Sequence, residues 1–268
     1  MEPIHFTQLD NLKESQEFCE IHNIKKVQLG NMAAFCLACQ REKLDAENRQ
    51  MEREAGEREH KRRTVETLKR DSLVLDSTIA NATFDNYITD NDETAHAKLR
   101  ARQIAADYLQ TDKQFNTILA GNPGVGKSHL AMSMLKAVNE TSNPYRSCLF
   151  ISVNELMRLI KDSFNNPQSR YTEANMARLI GAADLLVLDD LGSESSFRTE
   201  SRESSEYTQQ FLFGLLDRRA RTIITTNLTS AEIERIYNPK LVSRLYKGAD
   251  GHVIKFTDKT KDQRKIVF

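Results

Sequence analysis

The stretch that most limits what this chain can fold into is Gly121-Asn122-Pro123-Gly124-Val125-Gly126-Lys127-Ser128, which matches the pattern G-x-x-x-x-G-K-[ST]. An apolar run at 116–120 precedes it, and Leu130, Met132, Met134, Leu135 and Val138 continue it as a helix. A strand that turns through glycines into a helix N-terminus makes a phosphate cradle. Gly121, Gly124 and Gly126 let successive amides point inward, and the helix end adds its partial positive charge. Lys127 is predicted to neutralise the β- and γ-phosphates of ATP, serving charge and not core packing. The Ser128 hydroxyl is predicted to ligate magnesium, and His129 extends the nucleotide-contacting segment.

A cradle of this kind needs an acidic partner strand. The run Leu185-Leu-Val-Leu188 reads as a fully buried strand that delivers Asp189 and Asp190 at its carboxyl end, where ligands of parallel sheets sit. Asp189 is expected to hold magnesium, mostly through water. Asp190 is expected to act as the base toward the attacking water; it is one methylene shorter than glutamate, which predicts slow or conditional hydrolysis. A third apolar strand, 222–226, ends in Asn227, placed to hydrogen-bond the γ-phosphate or the water.

From residue 79 onward, short β-type runs alternate with amphipathic helices, the pattern of an α/β fold whose parallel sheet is covered on both faces. Strands are expected at 116–120, 148–152, 185–188, 222–226 and, more weakly, 252–256. Helices are expected at 93–109 with Asp92 as cap, and at 128–139, 153–164, 176–182, 207–220 and 230–237. Residues 193–206 read as a mobile loop, and Cys148 as inert core. Upstream, residues 41–71 are dense in charges of both signs with a thin apolar stripe, which predicts a solvated linker helix and not a coiled coil.

The N-terminal cysteines are organised differently. Cys19-x-x-His22 and Cys36-x-x-Cys39 present four soft ligands as two knuckles, the spacing that tetrahedral zinc requires. So small a segment cannot fold on its own core, so the metal is expected to supply most of its stability. A small zinc-dependent DNA reader is the rival reading. Only Lys25 and Lys26 are basic within that interval, which is thin for phosphate contact.

Lysine plus arginine number 38 and aspartate plus glutamate 38, so no global field advertises a nucleic-acid partner, and any DNA contact must be local. No apolar run reaches the ~18 residues of a membrane helix, and the N-terminus lacks a signal-peptide layout, so a cytoplasmic protein without a membrane partner is expected.

Taken together, Ala82-Thr-Phe-Asp-Asn-Tyr87, Gly121 to His129, Leu186-Val-Leu-Asp-Asp-Leu-Gly192-Ser-Glu194 and Ile224-Thr-Thr-Asn-Leu228 resemble the AAA+ ATPases. More narrowly, they resemble the DnaC/DnaI-type replicative helicase loaders, including versions carried by phages. The resemblance runs from Ile79 to the C-terminus. It implies an AAA+ P-loop sheet with a reduced lid, Arg244 as an arginine finger reaching a neighbouring subunit, and Arg264 as a second sensor arginine. Lys240 departs from the family, which often has an arginine there. The resemblance further implies that the zinc module (1–45) grips a DnaB-type hexameric helicase; the charged helical linker is placed at 46–78 and the ATPase domain at 79–268. It also implies self-association on the helicase. Single-stranded DNA is expected along 153–178, where Arg158, Lys161, Phe164, Arg170 and Tyr171 offer charge and stacking surfaces. An IstB-like transposition helper acting on duplex DNA is the alternative; a metabolic P-loop kinase is disfavoured by the doubled aspartate and the Asn-ended strand.

Overall fold

A computed structural model describes residues 12–193, 206–219 and 221–263. The chain divides into two compact units, Met1–His60 and Lys61–Phe268. In the first, strands β1 (Leu12–Phe18) and β2 (Lys25–Leu29) pair antiparallel, and Phe35 bridges back to Val27. Helix α1 (Leu37–Arg63) follows, and none of its residues is buried, as its dense mixed charge predicts. Among the described residues of this unit only Cys19 and Cys36 are buried.

The second unit carries two short helices, α2 (Thr67–Asp71) and α3 (Ser77–Ala80), and is built on a five-stranded sheet of β3 (Phe115–Ala120), β4 (Cys148–Ser152), β5 (Leu185–Leu191), β6 (Arg221–Thr226) and β7 (Val253–Lys255). Its order is β4-β5-β6-β3-β7, and every pairing is parallel. Side chains alternate along each strand, so the sheet feeds two cores. Cys148, Phe150, Leu185, Val187 and Ile223 face α4 (Asp92–Leu109) and α5 (Lys127–Thr141). Leu149, Ile151, Leu186, Leu188 and Ile224 face α6 (Val153–Asp162), α7 (Glu173–Ala182), α8 (Glu206–Asp217), α9 (Ser230–Ile236) and α10 (Pro239–Leu245). The expected α/β architecture, helices on both faces of a parallel sheet, is the observed one. Cys148 is fully buried, and burial pushes its thiol up to about 12.

Several local expectations shift. Helix α4 is capped by Asn91 and not Asp92: the Asn91 side chain accepts from the Thr94 amide while Thr94 Oγ1 accepts from the Asn91 amide. Strand β5 runs on through both aspartates to Leu191, and β7 is shorter than 252–256. Leu73, expected in the linker, bridges to Ile151 at the edge of β4, with its amide donating to Phe150 O at 2.8 Å. Almost all of the loop expected at 193–206 lies outside the described residues, as does Glu194. Among the described residues no helix is long and apolar enough to cross a membrane.

Candidate nucleotide site and candidate metal centre

The carboxyl ends of β3, β5 and β6 bring Lys127, Ser128, Asp189, Asp190 and Asn227 together. Gly121, Gly124 and Gly126 all carry positive φ (149°, 81° and 89°), so the turn into α5 uses backbone that side chains rarely adopt. Lys127 is buried, and its ammonium donates to Gly121 O (2.8 Å), Asn122 O (2.8 Å) and Asn227 Oδ1 (2.7 Å). Because Asn227 Oδ1 accepts from Lys127, its Nδ2 is left as the donor on the other side of the amide, and it donates to Asp190 Oδ1 at 2.9 Å. Lysine, asparagine and aspartate thus form one continuous polar chain across β3, β6 and β5. Lys127 does more than serve charge, since it also ties the first turn of the cradle.

Asp189 accepts from Ser128 and from Thr225 Oγ1, the latter at 2.7 Å. Burial pushes its carboxyl above the usual range and the neighbouring Asp190 adds to this, while the two hydroxyls and Lys127 pull it back. A hydroxyl and a carboxylate in contact, both oxygen donors, are the set magnesium takes, so the residues present fit that ion. His129, half-buried and held below its usual pKa by that burial, packs edge-on to Tyr87 at 5.3 Å. Its Nε2 lies 3.0 Å from Thr83 O, and since a carbonyl only accepts, Nε2 carries the proton.

Sequence reading missed a strap. After β7 the chain turns back over the cradle: the Phe256 amide donates to Ala120 O, Asn122 Nδ2 to Asp258 Oδ1, and the Gln263 amide to Gly124 O. The strap is pinned from its other side, where Thr257 and Thr260 donate to the Glu93 carboxylate in the first turn of α4. A Cβ on Gly121 would stand 2.7 Å from Phe256 Cβ, and one on Gly126 2.7 Å from Tyr87 Cε2. Glycine at these two positions therefore admits the close approach of the strap and of Tyr87.

Other expected site residues are not gathered here. Arg244 sits on α10, whose last carbonyls accept from Asn116 Nδ2 at the start of β3. The cradle follows the other end of that strand, roughly 16 Å away at ~3.3 Å per residue. The Arg244 Nε donates to Asp217 Oδ1 at 2.7 Å, with its guanidinium over Phe213. Arg264 lies outside the described residues. On 153–178, Arg158 is paired with both Glu155 and Asp162, so its charge is already compensated. Arg170 faces Asp71 at 3.7 Å beside a cleft of about 400 Å³ that also takes in Tyr171 and Arg178.

In the first unit, Cys19 directly follows β1, His22 lies in the turn after it, Cys36 precedes α1 and Cys39 stands in its first turn. Their ligand atoms all fall within 4.8 Å of one another. Cys19 Sγ lies 3.6 Å from Cys39 Sγ, close to the ~3.8 Å edge of a tetrahedron with ~2.3 Å zinc–sulfur bonds. His22 presents Nδ1 to Cys39 Sγ at 3.3 Å, while its Nε2 meets Glu42 Oε1 at 3.0 Å. Glu42 and the Cys19 sulfur push His22 up to about 9, and hydrogen bonds from His22 hold Cys19 down at about 6. Sequence reading missed Glu42 because it is one carboxylate among many in a charged helix. Only its place one turn beyond Cys39 marked it.

The IstB-like ATP binding protein family matches residues 24–245. The replicative helicase loader DnaC of Escherichia coli (strain K12) is 28% identical over 157 residues, 57% of this chain and 58% of that protein. DnaC of Buchnera aphidicola subsp. Schizaphis graminum (strain Sg) is 28% identical over 152 residues, 55% of this chain and 56% of its own length. The chain thus spans a little over half the length of these curated relatives. A crystal structure of the DnaC helicase loader matches with a TM-score of 0.56 at 24% identity, covering 68% of this chain and 100% of the other. One of DnaI matches at 0.55 and 22%, covering 69% and 96%. These two structures carry the AAA+ fold, and the comparisons together bear out the resemblance to helicase loaders drawn from the motifs. The family model spans residues 24–245, most of the chain, and the chain therefore belongs to the IstB-like ATP-binding proteins.

Proposed function

We propose that this chain is an ATP-switched loader that binds a replicative ring helicase and places it on single-stranded DNA. The observation that carries this reading is the single constellation of Lys127, Asn227, Asp190, Ser128 and Asp189, on the same chain as a preformed Cys3His cluster. Within it, Lys127 and the cradle amides hold the β- and γ-phosphates. Magnesium, when bound, shields phosphate charge; Ser128 and Asp189 would hold it. Asp190 accepts a proton from the attacking water, and Asn227 orients that water while linking Asp190 to Lys127. Zinc suits the Cys19, His22, Cys36 and Cys39 set, whose closed four-donor shell suits structure and not catalysis. The zinc module exposes Phe18, Ile21, Ile24, Met32 and Leu37, apolar side chains that a protein partner would cover. We assign that partner as a DnaB-type helicase in the cytoplasm, on which copies of the chain self-associate. Lys161, Phe164, Arg170 and Tyr171 remain the DNA-facing set on 153–178.

Copurification of the intact chain with the identified replicative helicase from its own cell, with and without ATP, tests the reading. Recovery of the helicase with the parent, and not with a zinc-ligand variant, is the expected result. A second reading has its own support, since the family matched across residues 24–245 is the IstB-like one: recovery of a transposase and preference for duplex DNA would establish the transposition helper instead.

Two predictions follow from the same geometry. Glu42→Ala should weaken zinc affinity about 10- to 100-fold in a competitive chelator titration, because an outer carboxylate fixes the orientation of His22. Arg244 stands too far from its own cradle to serve it, so we assign its action to a neighbour's. A guanidinium delivered in trans is worth on the order of 10³ in rate or more in GTPases. Arg244→Ala should bind ATP normally but lose the concentration-dependent part of its turnover, and mixing it with a Lys127→Ala protein should restore some. Unchanged rate and concentration dependence would leave Arg244 as a surface partner of Asp217.

A further inference from the structure

Strands β5 and β6 keep a regular parallel register up to Leu188 and Ile224 and resume at Leu191 and Thr226. One residue more is used on β5 than on β6, so Asp189 and Asp190 together oppose the single residue Thr225. A bulge of this kind leaves an amide outside the ladder and re-aims a side chain. The amide is that of Asp190, whose φ of +60° puts a non-glycine residue in the left-handed region. An unbulged strand would send neighbouring side chains to opposite faces. Here both carboxylates serve one site, Asp189 meeting Ser128 and Asp190 meeting Asn227 Nδ2 at 2.9 Å.

Thr225 holds this arrangement. It is buried, its Oγ1 accepts from the Asp190 amide at 2.8 Å, and the same oxygen lies 2.7 Å from Asp189 Oδ1. A hydroxyl has one proton. The Asp190 amide can only donate, so the Thr225 proton goes to Asp189. We propose that Thr225 is a positioning residue for both carboxylates: its hydroxyl fixes the bulge through Asp190 and orients Asp189 for magnesium through Oδ1. This rests on the nucleotide-site reading above.

Thr225→Val keeps the shape and removes the hydroxyl. Against the parent it should lower kcat and weaken the magnesium dependence of nucleotide binding about 10- to 100-fold, leaving magnesium-free nucleotide affinity within about twofold, since Lys127 and the cradle amides are untouched. Thr225→Ser, which keeps the hydroxyl, should return both quantities toward the parent. Equilibrium binding of a fluorescent ATP analogue across a magnesium titration reads one arm, and steady-state turnover the other. Parental kcat and magnesium dependence in Thr225→Val would overturn the proposal. Should the valine variant fail to fold, Thr225→Ser against Thr225→Ala decides, and equal defects in that pair at equal melting temperature overturn it. A parent that binds magnesium and ATP but does not turn ATP over removes the hydrolysis reading alone, and the binding arm still judges Thr225.

Discussion

Lys127→Ala is expected to lower ATP affinity by about 10²- to 10⁴-fold. Each hydrogen bond to a charged group is worth about 1.5–3 kcal/mol, and the ammonium would contact two phosphates, so about 3–6 kcal/mol is at stake. The same ammonium donates to Gly121 O, Asn122 O and Asn227 Oδ1, so the substitution also frees three acceptors. Asn122 and Asn227 are exposed and Gly121 is half-buried, which lets water take over those bonds. The melting temperature should therefore fall by only about 2–8 °C, as a loss of about 1–2 kcal/mol does in a unit of this size. Isothermal titration with ATP and a thermal melt on the same preparation separate the two effects. Unchanged affinity would remove Lys127 from the nucleotide site, and with it the reading of the cradle.

What the sequence disclosed depended on how local the signal was. The cradle and the buried strand that follows it are contiguous patterns, and β3, α5 and β5 stand where those patterns place them. Asn238-Pro239 announces α10, where Asn238 caps and Leu241, Val242 and Leu245 are buried. The bulge at Asp189 and Asp190 has no such signature, because it exists only in the register between β5 and β6. The strap over the cradle was equally invisible. Asp258 meets Asn122 and Thr257 meets Glu93 across more than a hundred residues of sequence, and nothing local in a Thr/Asp/Lys-rich segment signals such a partner. Arg158 carries two local signals at once. Its type and neighbours suggested a phosphate contact, but Glu155 and Asp162 lie three and four residues away on the same helix, the spacing at which opposite charges meet.

Removing the metal ligands should have its largest effect on the first unit. In that unit only Cys19 and Cys36 are buried among the described residues, and α1 buries nothing. Two strands with no apolar core are at best marginal in water, so ligation must replace the missing burial. Structural zinc binding is worth about 10–16 kcal/mol in zinc-finger peptides, far more than a β1–β2 ladder provides. Cys36→Ser with Cys39→Ser removes two of the four donors. The double variant is expected to contain no zinc by elemental analysis, to lose protease resistance in the first unit, and to lose helicase binding. ATP affinity should stay within about twofold of the parent, because every residue of the nucleotide site belongs to the second unit and both substitutions fall in the first. A parent without zinc would end the metal reading. A zinc-free variant that still captured the helicase would instead keep the metal as a structural element and move the partner surface elsewhere. The apolar side chains of Phe18, Ile21 and Ile24 bear on that choice: they flank Cys19 and His22 in sequence, so their presentation depends on the knuckle that the metal closes.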